Sequence, residues 1–358
     1  RSRQFEISSS ESAASPVKKT PEVMALLNQF KEKDKEKGRN LSASSLQKYP
    51  KCQVMFYYET VRGISDDPAH SDYIDAITLG NIVHNSLLLL YFPPNRRKKY
   101  ISPSEGITLT EDYLQHLIDS PDRIEHVVRR SINKEHFGMK AENGDDLDRE
   151  LPGAARLVAD RILQLIKSVI LYDKTLAPIT LVGGELDGNM RWQYGTNPDE
   201  SVNIRYALDR VDIANGNWRI IDYKTGNVGL KTDAISSIFA LDNVSHPEDS
   251  KNIFQLMFYA NVLMNRVEQE GDTLPPDVLT AIYDVQRIAM GNSQSHIQIK
   301  NGRLYMDEPF IANLNNEFTD NLNSMLKDIF DPTKDFMPTT NEEICKWCRL
   351  KALCGKEN

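Results

Sequence analysis

The apolar positions change period along the chain. From Ala154 to Tyr172, the residues Val158, Ile162, Leu165, Ile166 and Val169 fall on one stripe at the spacing of an amphipathic helix. From Ile179 the period shortens. Leu181-Val182-Gly183-Gly184-Glu185 reads as a strand, Val202 to Asp209 alternates as a second, and Trp218 to Lys224 is a third, entered through an Asn215-Gly216 turn. Together they predict a meander. A helix follows over Lys251 to Met264, then a strand from Val278 to Arg287, a hairpin around Asn301-Gly302 and a long helix from Phe310 to Phe330. Strands mixed with helices in this way predict an α/β sheet.

Upstream, Ser42 or Ser44 can cap a helix reaching about Tyr49. Asn81 to Tyr91 is a strongly apolar helix, stopped by Pro93-Pro94. Residues 1–40 read as a polar tail carrying one helix from Pro21 to Phe30. Residues 41–358 read as one domain: a mostly helical insertion over 101–178, a core over 179–300, and a final helix with a cysteine cluster over 301–358.

Composition narrows the function classes. The 358 residues are 40% hydrophobic and 26% charged, ordinary values for a globular chain. No run approaches the roughly 18 apolar residues that cross a bilayer, so no membrane partner is expected. The polar start carries no signal core, which suggests a cytoplasmic protein cut from a longer one. A net charge of −8 argues against a protein that coats nucleic acid without specificity. It leaves room for an enzyme with a local basic track, although the clearest basic cluster, Arg96-Arg97-Lys98-Lys99, reads as a solvated loop.

The candidate chemistry centres on Ile220-Ile221-Asp222-Tyr223-Lys224-Thr225-Gly226. On a strand, Asp222 and Lys224 point to one face, about 6.6 Å apart. Asp209, thirteen residues earlier on the neighbouring strand, can bring a second carboxylate to the same end of the sheet, and Asp212 competes for that role. Two carboxylates suit a hard divalent cation such as Mg²⁺. Lys224 beside them could orient or deprotonate a water, or stabilise charge on a phosphate. His84 follows Gly80 by one turn, where backbone could approach closely; it is either a satisfied core residue or an imidazole that completes a metal site. Glu185 ends a strand within possible reach of the site, or lies on the surface. Gln255 and Tyr259, four apart on one helix face, could orient Lys224, water or phosphate, or simply pack. Cys345, Cys348 and Cys354 cluster near the C-terminus, with Cys52 far upstream. In a reducing compartment such clustering favours metal ligation over disulfides, and four thiolates can hold zinc or an iron–sulfur cluster.

Asp209-Arg210-Val211-Asp212, Ile221-Asp222-Tyr223-Lys224-Thr225-Gly226, Gln255-x3-Tyr259 and Gly80-x3-His84, in this order, resemble the RecB-type branch of the PD-(D/E)xK nucleases over roughly residues 41–358. The resemblance implies a restriction-endonuclease-like α/β core, a mixed sheet flanked by helices, that cuts DNA phosphodiesters with Mg²⁺ or Mn²⁺. It implies His84, Asp209, Asp222 and the Tyr223 carbonyl as metal ligands, Lys224 as the catalytic lysine, and Glu185, Gln255 and Tyr259 as accessory residues. Cys345-x2-Cys348-x5-Cys354 with Cys52 is similar to the iron–sulfur nuclease domains of AddB-type helicase–nuclease subunits. This similarity implies a [4Fe–4S] staple, favoured over zinc, and an exonuclease working with a helicase partner in double-strand-break repair. The alternatives are an inactive DNA-binding scaffold of the same fold and a free-standing CRISPR-type nuclease.

Overall fold

In the computed structural model, residues 15–34, 37–64, 73–140, 146–226, 228–240 and 247–354 are described. Thr20 caps α1 (Pro21–Asn28) through the Val23 N–H. A reciprocal capping box of Ser42 and Ser45 starts α2 (Ala43–Leu46). Two single turns follow, α3 (Lys48–Lys51) and α4 (Gln53–Phe56), leading into a π-helical turn over Tyr57–Val61. Asp75 caps α5 (Ala76–Tyr91), which gives way at Phe92, ahead of Pro93-Pro94. Next come β1 (Ile107–Leu109), α6 (Glu111–Ile118), α7 (Pro121–Glu135) and α8 (Gly153–Leu176). The predicted meander is β2 (Ile179–Gln193), β3 (Ser201–Ala214) and β4 (Asn217–Lys224). Then follow β5 (Lys231–Thr232), α9 (Pro247–Gln269), β6 (Val278–Asp284), α10 (Val285–Ala289), the hairpin β7 (Ile297–Asn301) and β8 (Leu304–Glu308), α11 (Asn315–Phe330) and α12 (Glu342–Lys346).

The main sheet runs β1-β2-β3-β4-β6, antiparallel except for β4 and β6, which pair in parallel from Trp218↔Val278 to Lys224↔Asp284. β5, β7 and β8 form a small second sheet. Alternation along β4 divides the core in two. Trp218 and Ile220 pack with α9 and α11, through residues such as Phe254, Phe258 and Phe318; Ile221 and Tyr223 pack with α5 and α8, through Ile82, Ile166 and Ile170. Each fully buried Phe of this kind stabilises the fold by about 1.5–3 kcal/mol. Among the described residues, no helix is long and apolar enough to cross a membrane.

Several expectations change. Within the mostly helical segment 101–178, one short strand is unforeseen: β1 pairs with β2 and forms an edge of the main sheet. Three residues are too few to show a period. The expected polar tail over residues 1–40 lies partly outside the described residues (1–14), and from residue 15 it packs. Val17 bridges to Phe336, and Val23, Leu27 and Phe30 are buried in the core. The strand expected to reach Arg287 stops at Asp284, whose side chain accepts the Arg287 N–H at 3.1 Å and so starts α10. Gly80 is not a forced close approach: an added Cβ would meet Thr225 Oγ1 at 3.7 Å, ordinary contact.

On the α8 side of the meander lies a buried ionic network. Arg210 donates to Asp173 on α8 at 2.7 and 3.2 Å, to Asp212 at 2.6 Å and to the Tyr223 hydroxyl at 3.1 Å. Arg219 donates to both Asp212 oxygens, at 2.6 and 2.9 Å. The Tyr91 and Tyr283 hydroxyls donate to Asp173 at 2.8 and 3.0 Å. Asp173, Arg210, Asp212 and Arg219 are each at most 3% exposed. Burial works against the Arg210 charge, and the facing Asp173 and Asp212 more than offset it. Two acids and two bases make the set neutral, but removing one member strands its partners. Arg210→Met is therefore expected to lower the unfolding free energy by about 3–5 kcal/mol in a urea titration. A loss below about 1 kcal/mol would show that the network does not hold the sheet together.

Candidate active site

β4 carries Asp222 and Lys224 to its C-terminal end, on the face covered by α9. Lys224 Nζ lies 2.8 Å from Asp222 Oδ2. Gln255, on α9, donates to Asp222 Oδ1 at 3.0 Å and to the Tyr259 hydroxyl at 3.3 Å, while its Oε1 accepts from Lys224 at 3.4 Å. The β3–β4 register pairs Arg210 with Ile221, so one step further Asp209 stands opposite Asp222. Asp209 Oδ2 accepts the Tyr223 N–H at 2.9 Å.

His84 reaches this spot from α5. Its Nε2 is 2.9 Å from the Tyr223 carbonyl and its Nδ1 is 3.4 Å from Asp209 Oδ1. A carbonyl only accepts, so Nε2 carries hydrogen. A favourable contact between Nδ1 and the carboxyl then needs one further proton, on either group. The Asp209 carboxyl is pushed up to about 6, first by burial and then by Asp222, against the opposing pull of His84 and Lys224. Burial lowers the proton affinity of Lys224, but the Asp222 carboxylate outweighs it, so the amine is held above its ordinary value.

Glu185 lines the same small cavity as His84, Asp209, Arg210 and Tyr223, with Oε2 4.0 Å from Lys98 Nζ. Its φ is +44°, the left-handed region that a side chain rarely occupies. β2 pairs Gly184 with Arg210 and Leu186 with Leu208, on either side of it. Gly184 is required here, because a Cβ would come within 2.4 Å of the Phe92 ring. His84, Glu185, Asp209, Asp222, Tyr223, Lys224, Gln255 and Tyr259 thus meet at one end of the sheet. Asp212, the competing carboxylate, has both oxygens bound by guanidinium groups on the α8 side.

The donors suit a hard divalent cation: two facing carboxylates, a backbone carbonyl and an imidazole. His84 bonds the Tyr223 carbonyl and contacts Asp209, while Asp222 is held by Gln255 and Lys224. Among the described residues, no three His, Cys, Asp or Glu side chains already stand around one point as a metal site. His84, Asp209, Asp222 and the Tyr223 carbonyl are the groups that would hold the ion.

Cys52, Cys345, Cys348 and Cys354 line a separate small cavity with Met55, Pro338 and Ile344. Leu350 N–H points to Cys348 Sγ at 3.4 Å. Burial first, then Cys52 and Cys345, push the Cys348 thiol up. A buried thiol beside three others suits a soft cation that would compensate the charge of the thiolate.

The residues not foreseen are those of the ionic network. One signal existed: Asp173 continues the apolar stripe of α8 one turn past Val169, where a carboxylate implies a buried partner. Arg210 and Asp212 sit inside the motif itself, but the pairing of Arg210 with Asp173 depends on a contact across distant elements.

Asp209 has a stability consequence. Its folded pKa lies above that of the unfolded chain, so its contribution is full below about pH 4 and is lost as pH rises through about 6. In EDTA, Asp209→Asn is expected to flatten the fall in stability between these values and to melt above the parent at pH 7.5. A lower melting temperature would contradict the strain assigned to this carboxylate.

No curated protein was found to match the chain. The PD-(D/E)XK nuclease superfamily matches it over residues 40–355, which span the sheet, both helical layers and every residue of the site above. The chain belongs to the PD-(D/E)XK nuclease superfamily.

Proposed function

We propose that the chain is a Mg²⁺- or Mn²⁺-dependent deoxyribonuclease, an exonuclease that resects DNA ends beside a helicase partner during double-strand-break repair in the cytoplasm. The observation that carries the reading is the meeting of Asp209, Asp222, Lys224, Gln255 and His84 at one sheet end in a chain of this superfamily. Asp209, Asp222, His84 and the Tyr223 carbonyl would hold the cation. When bound, the cation supplies positive charge against phosphate oxygens and acidifies water at the site. Lys224 forms an ion pair with Asp222 and donates to Gln255, the arrangement of an ammonium. It therefore acts by stabilising charge on the phosphate and by orienting water, more than by taking a proton. Gln255 holds both Asp222 and Lys224, and Tyr259 fixes Gln255 in turn. Glu185 faces the same cavity and positions a water or a cation there.

The four cysteines are assigned to a [4Fe–4S] cluster, on their shared cavity and their spacing, with zinc as the other occupant the thiols could take. The helicase partner rests on resemblance to AddB-type subunits.

Linear DNA with Mg²⁺ or Mn²⁺ should be degraded from its ends, and covalently closed circles spared. Asp222→Ala should abolish cutting, and Lys224→Met should lower kcat by about 10²–10³-fold. Equal cutting by Asp222→Ala and the parent would remove this assignment. Protein purified without oxygen should absorb broadly in the visible, and Cys345→Ser should not. A colourless, zinc-loaded parent would replace the cluster with zinc.

A further inference from the structure

A cleft with room for about 360 Å³ lies beside the carboxylate site. α2 and α3 form one wall, the N-terminal half of α9 the other, and Ile344 of α12 closes one end. Two features connect it to the site. Lys251, which lines the cleft, precedes Gln255 by four residues on α9, so the two side chains are neighbours about 5–6 Å apart on one helix face. Gln255 touches Asp222 and Lys224, so the cleft begins one helical turn from the reacting groups.

The lining has two characters. Pro50, Met55, Ile238 and Ile344 offer apolar surface. Lys48, Lys51 and Lys251 offer cations. Lys48 is held by Glu59 at 2.7 Å, and Glu59 also binds Arg349 at 2.7 Å. Lys51 and Lys251 are exposed and form no ion pair among the described residues. Glu59 is thus neutralised by its two partners, which leaves a cationic excess over Glu248.

We infer that this cleft seats the unpaired strand of the substrate adjoining the scissile phosphate, with backbone phosphates on Lys51 and Lys251 and a base against the apolar wall. The inference rests on the nuclease reading and names the substrate form the site takes: a single-stranded DNA end. Charge complementarity and continuity with the site along α9 favour this occupant. Single strands are held by basic grooves that offer the bases a surface to stack on, here a lining that includes Phe254, and a duplex does not fit within about 360 Å³.

The test is binding of a fluorescein-labelled oligodeoxythymidylate to metal-free protein in EDTA, followed over a range of salt concentrations. Each phosphate contact contributes about 0.7 to the slope of log K against log salt for a single strand. Lys51→Glu with Lys251→Glu should lower that slope by about 1.4. With a single-stranded substrate and Mg²⁺, KM should rise and kcat should hold; affinity for a blunt duplex should not change. An unchanged slope, or an equal loss of duplex binding, would overturn the inference. Because the binding arm involves no cleavage, a parent protein that cuts nothing would count against the nuclease reading alone. Both lysines are exposed, so matched melting temperatures establish that the variant is folded.

Discussion

A guanidinium with no access to water holds this structure in register. Arg210 must satisfy its donors inside the protein, and it does so through Asp173 on α8, Asp212 beside it and Tyr223 on the next strand. Because strand side chains alternate, pinning Arg210, Arg219 and Tyr223 to the α8 side leaves Asp222 and Lys224 on the α9 side. A slip of one residue would exchange the two sets and bury the wrong charges. The interaction that fixes β3 against β4 is therefore also what sets Asp209 opposite Asp222.

That juxtaposition is unfavourable on its own. Two carboxylates face each other at the end of a buried sheet, and Asp209 resists ionisation, first because it is buried and then because Asp222 faces it. It persists because backbone and side-chain donors surround it: the Tyr223 N–H, His84, Lys224 and Gln255. These donors come from β4, α5 and α9, rigid elements whose packing does not depend on the site. A strained Glu185 beside them adds a further local cost, which the Gly184–Phe92 contact and the long β2–β3 ladder sustain.

The C-terminal segment returns to the start of the domain by ordinary packing. Phe336 pairs with Val17 and lies among the rings of Tyr49, Phe56 and Tyr57. Glu59 ties Lys48 to Arg349. These contacts close a very long loop and bring Cys52 beside Cys345, Cys348 and Cys354, so the thiol cavity is a seam between the two chain ends. Met55 and Ile344 line both that cavity and the basic cleft, which makes the seam part of the cleft wall.

Period and turn chemistry made the meander, α8, α9 and the β7–β8 hairpin legible, since each is long or is bounded by Gly, Pro or Asn. The motifs, with the family they resemble, singled out Asp209, Asp222, Lys224, Gln255, Tyr259 and His84, and the cysteine spacing singled out four thiols that line one cavity. Other features depended on contacts between distant segments. β1 is a strand only because β2 offers it an edge. Residues 15–34 pack only because the core leaves room for Val23, Leu27 and Phe30. Asp212 reads as a possible ligand until Arg210 and Arg219 are seen to occupy it. Local sequence determines which face a side chain takes and which chemistry it can offer; the tertiary structure decides which partners reach it, because burial makes a charge depend on whatever stands within a few ångströms.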